Sequence, residues 1–199
     1  MKTHTAESIE LQKRRELLDA GRQCGLTAGL ATVSLDHIAQ ITHISKRTLY
    51  KYYGTRDAFF VALIQHDGDV WREWFFDAVR ERANTPLKRF LEFFDLLSEL
   101  SVSPTFTGCL FAQVLSNPLI FSELWRQAAK EQLALVRPFL QKNAQQAGVR
   151  NATAVLDMVL CPTILLLSDG GNQVCPVAGP RLRELVNLLL QDNIQLEEV

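Results

Sequence analysis

Residues 34–57, SLDHIAQITHISKRTLYKYYGTRD, decide the fold. Ser34 is a good N-cap, and Leu35, Ile38 and Ala39 then share one helical face, so a short amphipathic helix is expected to stop near Ile41. Thr42, His43 and Ile44 fit a tight turn with Ile44 plugging inward. Ser45 can cap a second helix running to about Tyr53, where Gly54 ends it. Two helices joined by so short a turn read as a helix-turn-helix.

On the second helix, Leu49 and Tyr53 would face the core together with Ile44. Lys46 with Tyr50, and Arg47 with Lys51, share the i, i+4 spacing and would project outward beside Thr48. That outward set has the chemistry of a helix entering the major groove. Lys and Arg donate to guanine edges, Thr can touch a thymine methyl and Tyr can hydrogen-bond phosphate. A cationic helix face alone is more often merely solvated; the capped preceding helix and the short turn favour double-stranded DNA as the partner. Thr55 can cap the next helix, whose N-terminus beside Arg56 is itself an anion site. The expected DNA-facing set is therefore Ser34, Ser45, Lys46, Arg47, Thr48, Tyr50, Lys51, Tyr52, Thr55 and Arg56.

This stretch resembles the N-terminal pattern of the TetR family of one-component bacterial regulators, through Arg14, Leu17, Leu18, Ala20, Ser34, Ile38, Ala39, Ser45, Thr48, Leu49, Tyr50, Tyr52, Tyr53, Arg56, Asp57 and Phe59. Three positions depart from the pattern. His43 stands where the turn commonly has Gly, which requires either a left-handed His or an altered turn. Arg47 replaces another frequent Gly and adds a charged arm to the recognition helix. Arg56 replaces the usual Lys, keeping the charge and gaining a fork suited to phosphate.

Composition sets the outer bounds. At 199 residues and 47% hydrophobic content the chain can bury a substantial core, and a small domain joined to a larger one is expected: residues 1–57 for DNA binding and 58–199 for the remainder. The net charge of −1 is unevenly divided. Residues 1–57 hold nine Lys and Arg against six Asp and Glu, a balance of +3, so the basic part is the part that should meet phosphate. The N-terminal residues lack the apolar core of a signal peptide, and no apolar run approaches a membrane span, so a cytoplasmic protein without membrane contact is expected. Cys24, Cys109, Cys161 and Cys175 are widely spaced, without a CxxC or a His at ligand spacing. They read as four buried, reduced thiols, with neither a metal site nor a disulfide framework indicated. Gly-rich phosphate loops, GxSxG elbows and HExxH pairs are absent, and no cofactor or enzymatic activity is expected.

The rest of the chain reads as helices throughout, giving an all-α fold of about nine. A first helix is expected from about Glu7, a loop from Gly25 to Thr32, and a long fourth helix from about Thr55 to Ala83 carrying Phe60, Ile64, Trp71 and Phe75. Pro86 suits the first turn of a fifth helix. A shorter helix holds Leu110, Phe111 and Val114. A long one runs from about Leu119 to Ala147, with a kink expected at Pro138. All eleven Phe and three Trp residues lie between positions 59 and 139. Core packing accounts for most, yet a helical unit so rich in rings commonly encloses an apolar cavity. The resemblance implies a small, hydrophobic or aromatic effector there, with Trp71, Phe75, Phe90, Phe94, Leu110, Gln113 and Trp125 as candidate lining residues.

Residues 151–168 are apolar nearly all round, with Asp169-Gly170-Gly171 ending the run, and Leu182, Leu185, Val186 and Leu189 form one stripe after Pro180. This is more apolar surface than one subunit needs to cover, which suggests self-association. The resemblance implies a two-fold homodimer built as a four-helix bundle, with Val155, Val159, Leu182, Leu185, Val186 and Leu189 as its expected interface. The functional expectation is a homodimeric transcriptional repressor that binds a pseudo-palindromic operator and is released by its effector. The rival is a helical carrier or cofactor-independent enzyme without duplex affinity.

Overall fold

The computed structural model describes residues 2–103, 105–168 and 177–193. Among these the backbone forms nine α-helices, one 3-10 turn and no strand. In chain order the helices are α1 (Lys2–Ala28), α2 (Leu35–Thr42), α3 (Lys46–Tyr53), α4 (Arg56–Arg82), α5 (Pro86–Ser101), α6 (Leu110–Ser116), α7 (Glu123–Gln146), α8 (Ala152–Ser168) and α9 (Ala178–Asn193), with the 3-10 turn Leu30–Thr32 between α1 and α2. None of them is long and apolar enough to cross a membrane.

Local chemistry sets most of these boundaries. Ser34, Ser45, Thr55, Thr85 and Ser122 each cap the helix that follows, the side-chain oxygen accepting a backbone N–H of the first turn. Pro86 occupies the first turn of α5 as expected. Three boundaries differ from the sequence reading, the first being the start of α1, at Lys2 rather than about Glu7. The loop expected from Gly25 begins only at Gly29 (φ 89°), because α1 continues through Gly25 to Ala28. A Cβ at position 25 would lie 2.8 Å from Cδ2 of Leu110, so this glycine serves a close helix crossing inside α1 rather than a turn. Helix α7 starts at Glu123 rather than Leu119, because Ser122 supplies the cap. It continues as helix through Pro138. Asp169-Gly170-Gly171 and Cys175 lie outside the described residues.

A single apolar cluster runs from Leu17 to Leu190. Helix α4 is its spine: Phe59 and Leu63 pack toward α1 and α3, Phe60 toward α7, and Trp71, Phe75 and Phe76 meet rings of α6, α5 and α7, with Ile64 and Val79 buried among them. The aromatic centre is continuous. Trp71 stacks on Phe75 at 4.7 Å between centroids, and Phe75, Phe93, Phe94 and Phe90 follow edge-to-face at 5.0–5.4 Å. Such contacts add about 0.5–1.5 kcal/mol each beyond area burial. Helix α9 packs closely on α5, where a Cβ on Gly179 would lie 2.9 Å from the backbone of Ser98.

Candidate nucleic-acid interface

The helix-turn-helix is built by side chains that bond their own backbone. Ser34 Oγ accepts the Asp36 N–H at 3.2 Å and opens α2. Thr42 Oγ1 donates to the Ile38 carbonyl at 2.7 Å and accepts from the Ile44 N–H, closing the helix and turning the chain. His43 then adopts the left-handed conformation (φ 55°, ψ 20°), so the turn keeps its shape with His in place of Gly. Ser45 Oγ accepts the Thr48 N–H at 3.2 Å and opens α3.

On α3 the inward and outward residues separate as their spacing dictates. Ile38, Ile44 and Leu49 are buried, and Tyr53 is half-buried, its hydroxyl donating to the Arg14 carbonyl at 3.1 Å. Burial pushes the Tyr53 phenol up to about 12, so this donor keeps its proton at physiological pH. Its ring meets Phe59 edge-to-face at 5.1 Å, so one side chain ties α1, α3 and α4 together. Ser34, Ser45, Lys46, Arg47, Tyr50, Lys51, Thr55 and Arg56 are exposed, with Thr48 and Tyr52 partly so. Arg47 and Lys51 have no ion-pair partner among the described residues. Lys46 Nζ sits 2.6 Å from Asp36 Oδ1, an ion pair that links α3 back to α2. The Arg14 guanidinium lies over the Tyr52 ring at 5.0 Å.

Arg56 has a different setting from the one expected. Its guanidinium packs over the faces of Phe60 (4.7 Å) and Trp125 (5.2 Å), at a crevice of about 210 Å³ lined by Ala31, Asp57, Phe121 and Trp125 among others. Trp125 stacks on Phe60 at 4.2 Å, and its indole N–H donates to Asp57 Oδ1 at 2.9 Å. This is the joint between α4 and α7.

Three of the seven expected effector-lining residues are engaged outside the aromatic row: Trp125 at that joint, and Leu110 and Gln113 where α6 meets α1 and α4. Besides Trp125, the Leu110 N–H donates to Asp67 Oδ2 at 2.6 Å, and the Gln113 side chain bonds the backbone of Gly25 and Leu30. Trp71, Phe75, Phe90 and Phe94 do form one buried aromatic row. Sequence reasoning missed Arg22 and Asp67. Asp67 is fully buried and accepts from Arg22 Nε at 2.8 Å. The signal was present: a carboxylate placed at helical spacing inside the stripe Phe60, Ile64, Trp71 and Phe75.

At the C-terminal end, Val155, Val159, Leu182 and Val186 are buried within the subunit, and Leu189 is partly so. Of the expected interface residues only Leu185 is exposed, at 36%. The apolar residues left open are Met158 (59%) and Leu165 (56%) on α8 and Leu188 (61%) on α9. Ala154 and Cys161 are exposed on the same face of α8 as Met158 and Leu165. Cys161 is thus an exposed thiol and Cys24 a half-buried one, where burial was expected; Cys109 is buried, and burial drives its thiol well above the usual value.

A capped, left-handed-turn helix-turn-helix carrying exposed cations on an all-α scaffold defines the class: a DNA-binding regulator. Residues 17–63 match the family profile described as bacterial regulatory proteins, tetR family. The chain is 24% identical over 169 residues to the HTH-type transcriptional repressor Rv1474c of Mycobacterium tuberculosis, covering 79% of this chain and 83% of that one. Among solved structures it is similar to SCO4454, a TetR-family transcriptional regulator from Streptomyces coelicolor (TM-score 0.74, 18% identity, 92% of this chain and 96% of that one). It is also similar to the reduced form of NemR from Escherichia coli (TM-score 0.69, 16% identity, 94% and 100%). The chain thus carries the DNA-binding module of the tetR family of bacterial regulatory proteins, on a fold shared with solved TetR-family structures.

Proposed function

We propose that this regulator is a homodimeric repressor that places its two α3 helices in successive major grooves of a pseudo-palindromic operator and is released by a small apolar or aromatic effector. The observation that carries DNA binding is the outward face of α3, where Arg47 and Lys51 stand exposed beside Lys46 and Tyr50, without an ion-pair partner among the described residues. The name of the mycobacterial relative supports repression. The open apolar residues on α8 and α9 support a dimer, and the buried row from Trp71 to Phe90 supports an apolar effector site. An effector releases DNA only if it binds better to the arrangement in which the α3 helices are wrongly spaced.

The test is selection of duplexes from a random library, followed by fluorescence anisotropy on the enriched sequence. With Lys46, Arg47 and Lys51 contributing from both subunits, affinity is expected to fall about 10³-fold between about 50 and 200 mM salt. A salt-independent affinity, or enrichment of no sequence, refutes the assignment of α3 to DNA.

A further inference from the structure

Two turns of helix face each other where the helix-turn-helix unit meets α6. On α1, Arg22 and Gly25 lie one turn apart; on α6, Leu110 and Gln113 do. The Gln113 side chain is used at both ends, Nε2 donating to the Gly25 carbonyl at 3.3 Å and Oε1 accepting the Leu30 N–H at 2.9 Å. An amide side chain thus replaces a missing peptide group between the end of α1 and the 3-10 turn, from a residue 83 to 88 positions away. The second tie is Asp67, whose one oxygen takes Arg22 Nε and whose other takes the Leu110 N–H. Gly25 leaves room for the Leu110 side chain between the two helices, since a Cβ there would press on its Cδ2.

Apolar packing tolerates small rotations, because contact area changes little as helices roll. Hydrogen bonds to backbone groups are directional and are lost within a few tenths of an ångström and a few tens of degrees. Three of them, made by Gln113 and Asp67, together with the Arg22–Asp67 ion pair, tie α1 and the 3-10 turn to α4 and α6. The reading unit has further polar ties in His66 Nε2 to Asp19 Oδ1 at 2.6 Å between α4 and α1, and in the Trp125–Asp57 bond and the Arg56 guanidinium on the α7 side, but none of these reaches α6.

We propose that Gln113 and the Arg22–Asp67 pair are positioning residues for DNA reading: they fix the angle of each helix-turn-helix on its scaffold and so the separation of the two α3 helices in the dimer. The inference rests on the operator-binding dimer proposed above. It makes the angle of the reading unit a property of α6, the helix that also delivers Phe111 to the ring of Trp71 in the aromatic row (5.9 Å, edge-to-face). A molecule lodged against that row would reach the DNA-reading helices through Gln113.

The experiment compares the wild-type dimer with Gln113→Met, which keeps the volume and removes both bonds. Affinity is measured for the selected operator and for versions with one or two base pairs added or removed between half-sites. Each base pair rotates one half-site by about 35° relative to the other, so a rigid wild-type dimer discriminates sharply against the altered spacings. The variant is expected to compress that discrimination by at least about fivefold while its thermal midpoint and dimerisation stay close to wild type. A folded variant whose spacing profile is parallel to that of wild type overturns the proposal, since loss of stability or of general affinity alone moves all spacings together. If Gln113→Met does not fold, Arg22→Gln is put through the same series with the same two outcomes. A wild-type chain that binds no duplex, or binds without any spacing preference, instead refutes the dimeric-operator reading.

Discussion

Replacing Leu188 by Glu places a charge in the middle of the largest apolar exposure on α9. Leu188 is 61% exposed in the single subunit, so about three fifths of its side chain remains to be covered by a partner. Complete burial of a Leu is worth about 1.5–3 kcal/mol, which leaves about 1–2 kcal/mol per copy here. A two-fold interface presents the same residue from both subunits, so the loss is counted twice, at about 2–4 kcal/mol. That corresponds to a dimer dissociation constant raised by about 30- to 700-fold, before the cost of desolvating two carboxylates is added. Sedimentation velocity over a micromolar concentration series reads the shift directly, and operator affinity should fall in parallel. A contrasting variant, Val186→Ala, opens a cavity inside the subunit and should lower the thermal midpoint with a smaller effect on association. A Leu188→Glu protein that stays dimeric with wild-type affinity refutes the assignment of this face to the interface.

His43→Gly relieves the left-handed strain of a non-glycine residue and is expected to stabilise the protein by about 1 kcal/mol, raising the midpoint by about 2–4 °C in a thermal melt; a lowered midpoint refutes the strain. Asp67→Asn tests the buried carboxylate. Burial is the main force raising the Asp67 pKa above 3.8, against the lowering effect of Arg22 and the Leu110 N–H. The native state therefore holds this proton at higher pH than the unfolded chain does, and stability contributed by the protonated form is lost as pH rises from 3.8 through the native value. The variant should be less stable overall, because it leaves one donor unpaired, yet should lack that downward slope in urea titrations across the acid range. Equal slopes in both proteins refute the burial argument.

The helix-turn-helix was legible almost residue by residue, because capping and turn formation are local events between positions two to four apart. Ser34, Ser45, Gly54 and Thr55 announce themselves without tertiary context. Gly25 did not, since a glycine serving a close crossing looks the same in sequence as one serving a turn, and only the approach of Leu110 tells them apart. Helix α8 shows a second limit. Val155 and Val159 were expected at the interface and are buried in the subunit, while Met158 and Leu165 are open. When both faces of a helix are apolar, periodicity states that two faces are covered but not which neighbour covers each. Gln113 and Trp125 illustrate a third: the residue types that line an apolar pocket with sparse polar groups are also those that build a joint between helices.

The Asp36 carboxylate held 2.6 Å from Lys46 gives that cation somewhere to rest when no DNA is present. Any phosphate must first compete with it, so the net attraction of α3 for an arbitrary stretch of chromosome is smaller than its count of positive charges implies. Sites that also engage Arg47, Tyr50 and Lys51 can outweigh the exchange, and sites that offer only phosphate gain less from it. On the operator-binding reading proposed above, an acid on the preceding helix would lower the background against which an operator is found, without a single contact to a base.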